Sequence, residues 1–209
     1  MTQATTILTR ADTKKATVDF TRAIELDSTE PLARLGLGLA TIREGRLQEG
    51  REHIEIAVAL DPTNSLVRSY VGKAYYEENS KARDQLASTQ FGLAKALDPN
   101  DPTPWFYDAI LKQTQNRPVE ALEDLERSIA LNQNRGVTRA ESLLAKDSAA
   151  RGALKARLYN RLGFHDQGMQ TAAEALSRDF SSPDAHRFVA YLWPRGRTGG
   201  GGCDRSGGA

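Results

Sequence analysis

Three histidines and one cysteine are the side chains of this sequence that most often carry metal or nucleophilic chemistry. His53, His165 and His186 lie far apart in the chain, and Cys203 lies among glycines near its end. No histidine has a second ligand at the i, i+3 or i, i+4 spacing that places two imidazoles on one metal ion. Cys203 has no structured neighbourhood that would activate its thiol. We therefore predict surface or capping roles for the histidines, and neither a metal nor a cofactor.

Two further patterns suggest chemistry at first sight. Gly36-Leu37-Gly38 has part of a nucleotide-binding loop, but a third glycine, a preceding strand and a suitably spaced acidic residue are missing from it. The acidic pairs Glu77-Glu78 and Glu123-Asp124 fall on helical faces that we expect to be solvated, so an acid–base couple is not indicated. The sequence thus predicts a protein that is not an enzyme.

The elements that hold these residues follow a repeating pattern. A leucine, an acidic or amide residue and in two cases a proline close four amphipathic runs, at 26–28, 60–62, 97–99 and 131–133. The last residues of these markers are 34, 37 and 34 residues apart. Such a period indicates stacked helical hairpins. We expect the three extra residues of the middle interval to form a longer turn around residues 79–83.

Side-chain sizes recur in phase with this marker. The recurring set comprises a small residue (Ala16, Gly50, Ala87, Ala121), a large apolar residue (Phe20, Ile54, Phe91, Leu125) and a second small residue (Ala23, Ala57, Ala94, Ser128). Small residues allow two antiparallel helices to approach closely, and the large residue fills the space between hairpins. Turns are predicted at 44–46, 78–80 and 116–118, where Pro118 takes an early helical position that does not need its missing N–H.

Together with Leu37-Gly38, Val71-Gly72 and the placing of Trp105, these features resemble the tetratricopeptide repeat family. The match is strong over residues 29–133 and partial over 1–28. The resemblance implies an all-α, right-handed superhelical solenoid of antiparallel helix pairs. It also implies that the first helices line a concave, peptide-binding surface.

We predict one repeat domain over residues 1–193. Its repeats span about 1–30, 31–64, 65–101, 102–135 and 147–181, followed by a half repeat at 182–193, with an insertion at 135–146. In the diverged fifth repeat we expect helices at 149–162 and 166–177, and a last helix from 185 to about 193. The glycine-rich residues 194–209 are predicted to be disordered, and fit a linker, an arginine–glycine tail or non-native sequence. The incomplete end repeats indicate a segment of a larger bacterial protein.

Charge and hydropathy narrow the expected partners. Without the tail, 25 basic and 26 acidic residues remain, and such a body has no global field to attract nucleic acid. No run of 18 apolar residues is present, so direct membrane insertion is not expected. The first ten residues lack the features of a signal peptide, which makes the cytoplasm the default expectation.

The resemblance places groove-facing side chains near the second, fifth, ninth and twelfth residue of each unit. From these positions and their neighbours we predict a partner-binding groove formed by Leu35, Leu39, Ile42, Tyr70, Lys73, Tyr76, Phe106, Tyr107 and Ile110. Some members of the family hold a peptide's C-terminal carboxylate with basic and amide side chains. Here only Lys73 would serve, so we expect an apolar, aromatic groove instead.

The predicted function is a scaffold that binds a peptide or protein segment in this groove. Alternatively the groove is covered by the insertion at 135–146, by preceding repeats or by a second copy in a homo-oligomer. A different hypothesis makes the chain a regulatory or substrate-recruiting arm of a larger enzyme, or part of an envelope assembly protein.

Overall fold

The computed structural model describes the backbone of residues 2–133 and 141–192, and the side chains of residues 13–132 and 147–190. Regular structure in these ranges consists of ten helices, with no strand. They are α1 (Thr2–Leu26), α2 (Pro31–Arg43), α3 (Leu47–Leu60), α4 (Ser65–Glu77), α5 (Lys81–Leu97), α6 (Pro102–Thr114), α7 (Pro118–Gln133), α8 (Glu141–Arg161), α9 (His165–Arg178) and α10 (Pro183–Leu192). They fall into two compact units, α1–α7 and α8–α10.

Within the parts that are described, no helix combines the length and the apolar content that a bilayer crossing requires.

The first unit is a row of helical hairpins. Helix α2 pairs with α3, α4 with α5 and α6 with α7, while α1 packs on α2. The predicted packing positions are confirmed in these three hairpins, where they are buried: Gly50, Ile54 and Ala57, then Ala87, Phe91 and Ala94, then Ala121, Leu125 and Ser128. The all-α class of antiparallel helix pairs is therefore confirmed.

Glycine sets how closely the first hairpin closes. A Cβ atom added at Gly38 would stand 2.6 Å from the backbone oxygen of Gly50, and one added at Gly50 would stand 2.5 Å from the oxygen of Gly38. Both distances are shorter than real Cβ contacts, so either side chain would push α2 and α3 apart. Gly38 is thus a packing residue inside a helix, as predicted, and not part of a nucleotide loop.

All four hairpin turns share one backbone conformation. The second residue after the first helix has a positive φ in each case: Gly45 at 92°, Asn79 at 50°, Asn116 at 60° and Gly163 at 90°. Glycine and asparagine are the residues that tolerate this left-handed conformation at a helix C-terminus. The turn between α4 and α5 has the same length as the turn between α2 and α3, so the predicted longer turn is wrong. The three extra residues lengthen the start of α5 instead.

Side-chain caps fix where the first helices of the unit begin. The Asn64 side chain accepts a hydrogen bond from Val67 N at 3.2 Å, and that of Asp101 accepts from Thr103 N at 2.9 Å. Pro31 and Pro102 then occupy the first helical position, which a proline fills without losing a bond. The start of each first helix is therefore determined by the capping side chain or the proline at its own N-terminus.

The second unit consists of one hairpin and one further helix. Gly168, Ala172 and Ala175 of α9 are buried, and Ala185 and Phe188 anchor α10 against this hairpin. Helix α8 begins at Glu141, earlier than the residue 149 that we predicted, and therefore includes residues 141–146, which we had assigned to the insertion. Residues 134–140 and 193–209, which include the rest of the predicted insertion, Trp193 and the tail, lie outside the described residues.

Charged side chains are buried at the α5–α7 end of the first unit, where sequence reasoning missed them. Lys95 and Lys112 each contact both Asp108 and Asp124, at 2.5–3.3 Å. All four side chains are at most 16% exposed. Lys95 also lies over the ring of Trp105, 4.3 Å from its centroid. The expectation that Asp124 lies on a solvated face is wrong, because this aspartate pairs with lysines of two neighbouring helices.

A second ion cluster contradicts the other solvated-face expectation. Glu78 bonds Arg51 at 2.5 Å and Arg83 at 2.6 Å, and Arg51 also bonds Glu55 at 2.6 Å. The Arg51 side chain is only 10% exposed. This cluster joins α3 to the turn between α4 and α5. Its glutamates therefore have a structural role, which the sequence alone did not reveal.

Candidate binding groove

The first helices α2, α4 and α6 are neighbours in the first unit and place the predicted groove residues on one row of helices. Helix α4 contacts both α2 and α6. The partly buried members of the predicted set are Leu39, Ile42, Tyr70, Lys73, Tyr76, Phe106, Tyr107 and Ile110. Each keeps some exposed surface, which a partner can cover.

Aromatic rings connect α4 to α6. The ring centroids of Tyr70 and Tyr107 are 5.9 Å apart, and those of Phe106 and Tyr107 are 5.5 Å apart. Tyr107 also stacks on Phe91 of the core, with 6.3 Å between centroids. Separations of this size are typical of favourable aromatic pairs. Tyr107 therefore links the partly exposed Phe106 to the buried core and holds it in place.

Leu35 does not belong to this surface, and its assignment to the groove is corrected. It is 5% exposed and packs in a core cluster with Ile54, Val67 and Val71. The next first helix covers this side chain, because adjacent hairpins pack closely there. Ser69, at the equivalent point of α4, is also fully buried and donates to Ser65 O at 2.8 Å.

Lys73 already has an anionic partner. Its ammonium group pairs with Glu77 one helical turn away, and both side chains are about a quarter to a third exposed. The positive charge is thus balanced within α4. This arrangement weakens the case for carboxylate capture at Lys73 further than the sequence did.

Tyr75 shows how α4 is fixed to the preceding hairpin. Its hydroxyl donates to Glu55 Oε1 at 2.8 Å, and Arg83 lies 5.3 Å from its ring centroid. Burial, together with the hydrogen bond to the Glu55 carboxylate, raises the pKa of Tyr75 to about 12. The phenol therefore stays protonated at neutral pH and acts as a structural donor.

Two pockets open beside the groove residues. One has a volume of about 360 Å³ and lies between α1 and α2, with Phe20, Leu39 and Arg43 among its lining residues. The other, of about 420 Å³, is lined by Leu66, Tyr70 and polar residues near the starts of α4 and α6. Both volumes lie at the lower end of the range of about 300–1,000 Å³ that is usual for ligand pockets.

No metal chemistry is indicated in the part of the chain that is described, where no group of three or more His, Cys, Asp or Glu could hold an ion. His165 begins α9 and its Nδ1 lies 2.5 Å from Asn160 Oδ1, while His186 Nε2 lies 2.7 Å from Phe180 O. His53 lies on α3, and burial, with the nearby charge of Arg34, lowers its pKa. These three histidines act separately.

Comparison of the sequence alone finds no matching family model and no matching curated protein. Solved structures, by contrast, match over most of the chain. The Cut9–Hcn1 hetero-tetramer of the APC/C matches with a TM-score of 0.77 at 16% identity, covering 88% of this chain and 34% of that one. This chain thus spans about a third of the length of that relative.

Two bacterial structures match this chain over most of their own length. TTC0263, a thermophilic TPR protein of Thermus thermophilus, has a TM-score of 0.72 at 18% identity, with 91% of this chain and 95% of that chain covered. MamA from Desulfovibrio magneticus RS-1 has a TM-score of 0.58 at 12% identity, with 84% and 90% covered. The row of antiparallel helical hairpins defines a helical-repeat protein. More specifically, the chain has the tetratricopeptide repeat fold.

Proposed function

We propose that this protein is an interaction scaffold that binds a protein segment along the exposed face of α2, α4 and α6. The observation that carries the proposal is the row of partly exposed apolar and aromatic side chains on three adjacent helices. Its members are held by ring contacts and core packing before any ligand arrives. A surface fixed in this way loses little side-chain entropy on binding.

The bound segment is recognised by its apolar side chains. Phe106 and Ile110 lie one turn apart on α6, and Leu39 and Ile42 lie together on α2, so large apolar side chains of a ligand have contacts at both ends of the face. Lys73 is paired with Glu77, so a free C-terminal carboxylate is not required. The ligand is therefore an internal segment of a protein with at least two large apolar residues.

The test uses a displayed library of random 12-residue peptides selected on the full chain. Selected peptides are then synthesised and their affinities measured against Phe106→Ala and Ile110→Ala variants. These side chains lie outside the core clusters, so the variants should fold normally. We expect each to weaken binding by about fivefold to thirtyfold, which is typical of lost apolar anchors.

Matched controls use exposed leucines on second helices. Leu86→Ala and Leu93→Ala remove side chains that are 42% and 43% exposed and should leave the affinities unchanged. Amidated and free-acid forms of each peptide should bind equally. Selected peptides that bind the Phe106 and Ile110 variants as tightly as the wild type would show that this face is not the site.

A further inference from the structure

The outer side of helix α5 is uncharged where the neighbouring second helices α3 and α7 are acidic. Three repeat positions hold glutamate in both neighbours and an uncharged residue in α5. They are Glu49, Glu52 and Glu55 in α3, Glu120, Glu123 and Glu126 in α7, and Leu86, Thr89 and Gly92 in α5. Charged residues on the side of a helix away from the core keep that side solvated. Helix α5 therefore differs from its two neighbours at a surface that all three present.

Large apolar side chains lie on this side of α5. Leu86, Leu93 and Leu97 are 42–43% exposed, and their spacing of seven and four residues places them along one side of the helix. Lys95 is the charged residue of the stretch 85–97, and its ammonium group lies in the buried ion cluster instead. The surface formed by Leu86, Thr89, Gly92, Leu93, Ala96 and Leu97 is called the α5 face below. An exposed apolar surface of this kind is typical of an interaction site.

Gly92 gives the α5 face room for close approach. A Cβ atom added at the helical glycines Gly36, Gly38, Gly50 or Gly72 would lie 2.4–2.6 Å from a neighbouring atom, so packing within the chain requires those glycines. A Cβ atom at Gly92 would meet nothing within 4 Å. Glycine is unfavourable inside a helix, and the described residues give no packing reason for it at position 92. Its missing side chain leaves space for the side chains of another helix.

The acidic residues on either side of the α5 face set the charge of a fitting partner. Helix α3 precedes α5 in the row of hairpins and α7 follows it. Glu52 of α3 and Glu123 of α7 are exposed, and neither forms an ion pair with the residues that the structure describes. A ligand that covers the α5 face therefore brings its own edges near carboxylates on both sides. Basic edges complement them.

We propose that the α5 face binds an amphipathic helix of another protein, with an apolar stripe toward α5 and lysine or arginine along both sides of that stripe. Leu93 and Leu97 form a ridge of residues four apart, and Gly92 and Ala96 form a shallow row beside it. Rows at this spacing are the surfaces on which a second helix packs. The α5 face belongs to a second helix, so this inference does not depend on the groove of the first helices.

A second copy of this chain fits the α5 face less well. A two-fold dimer through α5 brings α3 of one copy over either α3 or α7 of the other. Both helices carry glutamate at the same three positions, so either arrangement places like charges opposite each other. A single helix with basic sides brings opposite charges together instead.

The test uses a displayed library of helical peptides of about 18 residues, because shorter peptides seldom form a helix on their own. One side of each peptide varies among alanine, leucine, isoleucine and methionine. The positions beside it vary among lysine, glutamine and glutamate. Selection on the full chain should enrich lysine over glutamate beside the apolar stripe, by about tenfold or more.

Selected peptides are then synthesised and their affinities are measured against variants of the α5 face. Leu93→Ala removes an apolar contact and Gly92→Leu fills the space beside it, so each should weaken binding by about fivefold to thirtyfold. Glu52→Gln and Glu123→Gln should each weaken binding by about twofold to fivefold. The effect of these two changes should decrease at high salt, which screens exposed charges.

Two control variants lie outside the α5 face. Ala130 is the exposed equivalent of Ala96 on α7, and Ala130→Leu should leave the affinities unchanged. Phe106→Ala on α6 should also leave them unchanged, whereas it weakens the peptides that bind the groove. Leu93→Ala should have the opposite pair of effects. Helical peptides that lose affinity for Phe106→Ala and not for Leu93→Ala would overturn the proposal.

The stability of Gly92→Leu separates binding from folding. Leucine is a far better helix former than glycine, and nothing lies within 4 Å of the added Cβ atom. The variant should therefore raise the urea midpoint of the free chain while it weakens peptide binding. A lower midpoint would show that part of this chain packs on the α5 face, and that result also overturns the proposal.

Three further outcomes contradict it. One is equal enrichment of lysine and glutamate beside the apolar stripe. Another is unchanged affinity for both Leu93→Ala and Gly92→Leu. The third is a sedimentation mass of the wild type of about twice 22.9 kDa that returns to the single value in Gly92→Leu, which would assign the α5 face to a second copy.

Discussion

The α2–α5 and α5–α7 regions have the same hairpin geometry but different interiors. In the former, Val71 and Tyr75 of α4 meet an apolar core. In the latter, the equivalent positions of α6 hold Asp108 and Lys112, which pair with Asp124 and Lys95. The repeat geometry is therefore set by the small residues and the turns, which both regions share. The residues that fill the interior can be either apolar or charged, provided that they fit the space and that their charges are paired.

Removing one charge from the buried cluster should have the largest effect. Asp124→Ala leaves two buried ammonium groups with only Asp108, and we expect the free energy of unfolding to fall by about 3–5 kcal/mol. Urea unfolding followed by circular dichroism measures it. The control is Glu123→Ala at the exposed neighbouring position, where the change should stay within about 0.5 kcal/mol. Equal effects at 123 and 124 would show that the cluster is not a single buried unit.

Replacing all four charged side chains with apolar ones should leave the free energy of unfolding unchanged or raise it, instead of lowering it. A variant with Lys95→Leu, Asp108→Val, Lys112→Met and Asp124→Leu makes this interior resemble that of α2–α5. Buried ion pairs replaced by apolar residues of similar size are often neutral or stabilising by about 1–4 kcal/mol. Asp108 Oδ1 is buried without a hydrogen-bond partner, which adds to the expected gain. A loss of several kcal/mol would mean that the charges stabilise the hairpin in their own right.

Alkaline titration distinguishes the two interiors at equivalent positions of α4 and α6. Tyr75 has an ordinary pKa of 10.0, which the fold raises to about 12. Its contribution to stability is fully present below pH 10 and is lost as pH rises through about 12. Absorbance at 295 nm should show a tyrosine that ionises near pH 12, and Tyr75→Phe should remove that phase. The variant should also lose about 1 kcal/mol at neutral pH with the hydrogen bond to Glu55.

Lys112, like Tyr75, loses its stabilising interactions as the pH rises, but for a different reason. Burial alone would lower its pKa, but the hydrogen bond to Asp124 and the charge of Asp108 outweigh burial and raise it. Its contribution is therefore present below pH 10.5, the ordinary value, and decreases above it. In the variant without the four charges this part of the alkaline destabilisation should be absent.

The smallest loss of stability is expected at the partly exposed ion pair on α4. Lys73→Met breaks the ion pair with Glu77, and exposed helical pairs of this kind contribute only about 0.3–0.5 kcal/mol. The same change at Lys112, inside the buried cluster, should destabilise by several times more. Urea midpoints of the two variants measure the ratio. Similar losses would show that burial does not separate the two regions.

The repeat fold was predictable because its determinants are local and periodic. The markers at 60–62 and 97–99 and the small residues on each helix recur at fixed intervals, and one turn geometry recurs with glycine or asparagine. The position of the three extra residues was not predictable, since a helix and a turn absorb three residues with the same spacing. The early start of helix α8 was not predicted because residues 141–148 lack a clear helical hydrophobic period.

The burial of the residues assigned to the proposed groove was predictable only in part. Position within a repeat separates Phe106 and Ile110 from the core, but it assigned Leu35 to the surface although the adjacent hairpin covers it. The buried cluster was missed because Asp108, Lys112 and Asp124 are ordinary surface residues in a helical sequence. Only the packing of three helices shows that their charges meet. Asp108 and Lys112 stand at the repeat positions that Val71 and Tyr75 occupy in α4, and this difference was the available signal.

The shared turn conformation also bears on how such a chain changes its length. Because Gly45, Asn79, Asn116 and Gly163 occupy the same left-handed position, the segment that follows one turn fits the helix that precedes another. A genetic exchange between two turns would therefore delete or duplicate a whole hairpin without requiring a new loop. Asparagine at two of the four positions shows that this turn conformation does not depend on glycine. The turns are thus places where a hairpin can be removed or added while the turn conformation is kept.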